Sequence, residues 1–141
     1  MQALLLAALL AAADGDPVGP HHVGCNVTEM SGVHIHARLT IAVHGKPVVV
    51  PANVGLVSIA GTPVCLYWLH THDETGLIHV EAPYGSYTLG DFFAVWDRPL
   101  SRTQLGPYRG RVSVSVNGVP FKGPPQTVPL VDGETIALTL E

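Results

Sequence analysis

The chain is short of charge. Only 13% of its 141 residues are Asp, Glu, Lys or Arg, while 47% are hydrophobic. That balance argues against a disordered chain. Basic residues are scarcer still: seven Lys and Arg against eleven Asp and Glu give a net charge of −4 with histidine neutral. No basic face suggests a nucleic-acid partner. The apolar run in residues 1–13 is too short to span a bilayer. Sulfur ligands are few. The cysteines are Cys25 and Cys65, and the methionines are Met1 and Met30. Neither methionine is placed as an axial ligand and no thiolate is favoured, so a blue-copper centre is not expected.

Turn formers and histidine are plentiful instead. Fifteen glycines and twelve prolines point to many turns and a β-rich α+β fold. The length suits one domain with a real core. Residues 14–32 read as irregular, and residues 33–141 as a single β-rich domain. Residues 1–13 resemble the apolar core of a signal peptide, with small residues at Ala11–Ala13 before the polar Asp14. No Lys or Arg precedes that run. The expectation is an exported protein, periplasmic, secreted or at the cell surface, with no transmembrane span in its mature form. In such a compartment Cys25 and Cys65 are most simply a disulfide, worth roughly 3–4 kcal/mol in the chain-entropy model.

The clearest strand is Val33–Val43. Val33, Ile35, Ala37, Leu39, Ile41 and Val43 share one face, and His34, His36, Arg38, Thr40 and Ala42 the other. His44-Gly45-Lys46-Pro47 turns it toward Val48-Val49-Val50. Residues 51–62 carry no readable pattern. Thr88 with Asp91 resembles a helix N-cap and its acidic N3 partner. Leu89, Phe92, Phe93 and Trp96 then form one apolar stripe, predicting a helix over about 88–97. Arg111–Val116 reads as a strand, Asn117-Gly118 as a hairpin turn, and Glu134–Leu140 as a final strand. The two hairpins, about 33–50 and 111–122, echo each other: residues 38–48 align with 111–121, with four identities. The expected architecture is these antiparallel hairpins packed around one helix and a central hairpin at 65–82.

That central hairpin carries the chemistry. Cys65–His72 reads as one strand, Asp73–Gly76 as the turn, and Leu77–Glu81 as the return. His70 then faces His79, and His70, His72 and His79 project together, joined by Trp68 and Glu81. His34-Ile35-His36 and His70-Thr71-His72 are both His-x-His pairs. Their paired imidazoles share a face about 6.5–7 Å apart at Cα, within reach of one ion at bond lengths of about 2.0–2.1 Å. If the two strands are neighbours, all five histidines converge. All-imidazole sets suit zinc, copper, iron and nickel, with copper or zinc first. Asp73, Glu74 and Glu81 are acceptors that would orient imidazole N–H groups, although Asp73 and Glu74 also read as plain turn residues.

The set His70, His72 and His79 resembles, in local geometry alone, the three-histidine zinc arrangement of α-type carbonic anhydrases. A cupin signature fails, because Gly76 and Leu77 stand where a glutamate is required. More broadly, the motifs His34-Ile35-His36-Ala37, Cys65–Asp73, Gly76–Glu81 and Thr88–Trp96 occur together with Val116-Asn117-Gly118. The ensemble resembles a family of small, uncharacterised bacterial exported proteins or lipoproteins with a β-rich domain. That resemblance implies export and a β-rich fold, and it supplies no activity. Three classes of function therefore stand open: a transition-metal-binding protein for scavenging, buffering or delivery; a three-histidine hydrolase or hydratase with an open metal position; and an interaction module with a pH-sensitive histidine face.

Overall fold

The structure, a computed structural model, describes residues 22–141. The expected signal segment lies outside them. Within the segment read as irregular, a two-residue strand, β1 (Cys25–Asn26), precedes the longest strand, β2 (Val33–Val43). Strands β3 (Lys46–Val48), β4 (Leu56–Ile59), β5 (Thr62–Tyr67), β6 (Leu69–His70) and β7 (Leu77–Ala82) follow. Helix α1 (Leu89–Val95) comes next. After it run β8 (Leu100–Ser101), β9 (Gln104–Leu105), β10 (Tyr108–Arg109), β11 (Val112–Val116), β12 (Val119–Phe121) and β13 (Thr135–Leu140).

The main sheet is ordered β12-β11-β13-β2-β7-β6, with β3 also on β2. Strand β2 organises it. Its alternation places Ala37, Leu39, Ile41 and Val43 in the core. Its first half pairs antiparallel with β7, and its last three residues pair with β3. Its other edge pairs parallel with β13, from Arg38↔Thr135 to Val43↔Leu140. So the sheet is not built of antiparallel hairpins alone. A parallel pair needs a long crossover, and here most of the domain lies between the two strands.

The two echoing hairpins share one geometry. Val43↔Lys46 and Ala42↔Pro47 correspond to Val116↔Val119 and Ser115↔Pro120. Both turn through two left-handed residues, His44-Gly45 and Asn117-Gly118. This is the turn whose twist matches its flanking strands. Each proline stands on an outer strand, where a missing N–H costs least. The two copies flank β13 in one sheet, and the fold is the β-rich α+β arrangement expected, with a single α-helix among the described residues.

Helix α1 starts as its cap residues dictate. The Thr88 hydroxyl accepts from the Asp91 N–H, and the Asp91 carboxylate accepts from the Thr88 N–H. Asp97 takes a left-handed conformation and ends it. Leu89, Phe92 and Phe93 are buried in one cluster with Leu39, Val80, Ile136 and Leu138 of the sheet.

Two local features depart from expectation. Residues 51–62 contain β4, which forms a hairpin with β5 through Ala60-Gly61, both left-handed. And 65–72 is not one strand. Strand β5 belongs to a small sheet, β1-β5-β4, while β6 belongs to the main sheet. The break falls at Trp68, whose side chain is buried in the core. Its ring packs against Tyr84 and Tyr87, and its N–H donates to Asn26 Oδ1 at 2.6 Å. Cys25 and Cys65 are disulfide-bonded and tie β1 to β5.

Candidate metal centre

The site is built on three adjacent strands. Strands β2, β7 and β6 put His36, His79 and His70 in a row, through the register pairs His36↔His79 and His70↔His79. His34 lies opposite Glu81. This is the adjacency on which convergence of the five histidines depends. His72 lies just past the end of β6, with its ring 4.8 Å from that of His70 and 4.5 Å from that of His79. The His36 ring is 4.8 Å from that of His34 and 4.7 Å from that of His79.

The backbone beneath is tightly held. Thr71, between two of the imidazoles, makes four hydrogen bonds to residues 51–54. Its N–H donates to Val54 O and its hydroxyl to Pro51 O. Its hydroxyl and carbonyl oxygens accept from the N–H groups of Val54 and Asn53. On β2, the His36 N–H donates to Asp132 Oδ1, and its carbonyl accepts from Gly133 N–H. At the loop end Gly76 lies against β2 with φ +80°, and its carbonyl accepts from Leu39 N–H. A Cβ there would run into the Leu39 carbonyl oxygen. Only glycine combines that left-handed φ with such a close approach at little cost.

Glu81 sits at the centre. Its Oε2 lies 3.6 Å from His70 Nε2, and its Oε1 lies 3.6 Å from both His34 Nε2 and His79 Nδ1. Two groups of ligand atoms, each within 4.8 Å of one another, result: His70, His72, His79 and Glu81, and His34, His36 and Glu81. Either could hold a metal ion. Among the described residues, the buried atoms His70 Nε2, His79 Nδ1 and Glu81 Oε2 have no hydrogen-bond partner. Buried polar atoms are almost always paired, so three orphans facing one point call for an explanation.

The two buried imidazoles are held in the neutral form that a metal would need, whereas Glu81 would have to give up a proton to bind one. His70 is 1% exposed, and burial holds its pKa below the usual imidazole value. Its Nδ1 lies 2.8 Å from the Tyr67 carbonyl oxygen. A carbonyl can only accept, so in the neutral ring Nδ1 carries the proton and Nε2 presents a bare lone pair. Burial, then the charges of His72, His70 and His36, push His79 down to about 4. Burial, helped by Glu29, pushes Glu81 up to about 7. Glu29 is held below the usual carboxylate range, chiefly by its hydrogen bond from Glu81. Without a metal, then, Glu81 holds its proton to higher pH than an ordinary carboxyl.

Sequence reasoning missed Glu29. It reaches the site from the loop after β1, with its carboxylate 3.5 Å from His72 Nε2. The signal was the cysteine pair, since a Cys25–Cys65 bridge draws the following residues toward the base of the histidine hairpin. The sequence suggests Glu81 as an orienting acceptor, whereas its carboxylate lies among the imidazoles in both groups of donors. Asp73 is occupied elsewhere: its Oδ1 accepts from the Thr75 N–H and hydroxyl, closing its own turn.

No protein-family model, no curated protein and no solved structure matches this chain.

Proposed function

We propose that the protein binds a transition-metal ion, copper or zinc, through His70, His72, His79 and Glu81. We further propose that it works outside the cytoplasm in metal scavenging, buffering or delivery. One observation carries the reading. The His70 Nε2 lone pair is buried, fixed in direction by Tyr67, and aimed at Glu81 Oε2 without a hydrogen bond. A histidine kept only for packing would not leave an acceptor stranded opposite a stranded carboxylate oxygen. A cation between them satisfies both. The other ring nitrogen is held by a backbone carbonyl, as metal-bound histidines usually are.

The donor set favours borderline metals over hard ones, because imidazole suits zinc and copper whereas calcium and magnesium take oxygen. Both cysteines are in the disulfide, so thiolate does not compete. That disulfide also fits an oxidising compartment. The test is equilibrium dialysis of the purified protein against zinc(II) and copper(II). Tight stoichiometric binding is expected, and a His70→Ala/His72→Ala double variant should lose the ion held by His70, His72 and His79. Equal binding by the variant would overturn the assignment.

A further inference from the structure

We propose that the same sheet face holds two metal ions, with the Glu81 carboxylate between them. This rests on the metal-binding reading above and goes beyond its single ion. The first ion takes His70, His72 and His79; the second takes His34 and His36.

The count of donors argues for two. Five imidazoles and a carboxylate exceed the four ligands of a tetrahedral zinc centre. They divide by position. His70 and His72 flank Thr71 on one side of β7, and His34 and His36 lie on β2 at the other. The two groups of mutually close donors have one residue in common, Glu81. Its oxygens point different ways, Oε2 toward His70 and Oε1 toward His34 and His79. Oε2 thus faces the first group alone, while Oε1 lies between His79 of the first group and His34 of the second, which places the carboxylate at their junction.

The distances argue the same way. The three 3.6 Å contacts around Glu81 are too long for hydrogen bonds. They are close to the ligand–ligand edge of a tetrahedral site, which for bonds of about 2.0–2.1 Å is roughly 3.3 Å. The other donor separations in each group run up to 4.8 Å, so the rings would have to turn inward to close a shell.

The two positions differ in exposure. The His70 side chain is 1% exposed and that of His34 is 57% exposed. His79 is 16% exposed but His72 is 47% exposed, so the inner ion would be shielded on its His70 and His79 side and reached by water past His72, while the outer one is the more open to competing ligands. A fixed inner ion beside an exchangeable outer ion is an arrangement that can accept and hand over metal.

The experiment loads the full chain with zinc(II), desalts it, and measures zinc per protein. Release to a weak chromogenic chelator is then followed in time. Wild type should carry two zinc ions, one released fast and one slowly. His34→Ala/His36→Ala should carry one, released slowly, with an unchanged circular dichroism spectrum. One zinc in wild type, or two in that variant, would overturn the two-ion centre while leaving the single-ion reading intact. No retained zinc in wild type would overturn both.

Discussion

Replacing His70 with leucine separates a ligand from a packing residue. The side chain is buried, and leucine is of similar size, so the packing cost should stay below about 1.5 kcal/mol. The variant loses the hydrogen bond to Tyr67 O, worth about 0.5–1.5 kcal/mol. It also removes the buried, unpaired Nε2, which costs wild type about 1–3 kcal/mol. These changes nearly cancel, so the metal-free variant should lie within about 2 kcal/mol of wild type. Zinc should tell them apart. At a hundred times its Kd, an ion that binds only the folded state adds about 2.7 kcal/mol. For a domain of this size that raises Tm by roughly 10 °C. Thermal unfolding in EDTA and in zinc measures both quantities. The wild-type shift should appear and the variant's should fall below a third of it. Equal shifts would refute the ligand role. A metal-free variant destabilised by more than about 3 kcal/mol would instead make His70 a structural residue.

Three further perturbations probe the frame around the site. Gly76→Ala combines a left-handed φ with a collision at Leu39 O, and should cost about 3 kcal/mol or more by urea unfolding; a loss under about 1 kcal/mol would mean that the loop can move away from β2. Cys25→Ser/Cys65→Ser opens a bridge between residues 40 apart, for which loop entropy gives about 4 kcal/mol. Little change in the urea midpoint would contradict that figure. Burial raises the pKa of Glu134, although its Oε1 accepts from Val131 N–H. A carboxyl with a raised folded pKa contributes fully below its ordinary value of 4.5 and loses stability as pH rises above it. Glu134→Gln should therefore match wild type near pH 4 and become progressively the more stable above pH 4.5, whereas parallel stability–pH curves would sink the idea.

Much of the frame is legible in sequence because it is local. The β2 alternation, the Thr88–Asp91 cap and the Asn117-Gly118 turn each depend on residues a few positions apart, and all three form as read. The hairpin β4–β5 was hidden because Ala60 takes a left-handed conformation that alanine does not advertise. The break at Trp68 was hidden for a different reason. Alternation continues through it, and only the competing demands of two sheets show that the chain changes partner there. The site follows the same division. The His-x-His pairs are local and visible, whereas the β2–β7 pairing that joins them is set by the whole fold. Glu29 arrives through a disulfide and a loop, which no spacing rule reaches.

The measurement closest to the central claim is extended X-ray absorption fine structure at the zinc edge of the loaded protein. Nitrogen and oxygen scatterers at about 2.0–2.1 Å are expected, with strong outer-shell imidazole scattering and no sulfur at about 2.3 Å. A shell without imidazole scattering, or a protein that retains no zinc after desalting, would contradict a histidine metal centre on this sheet face.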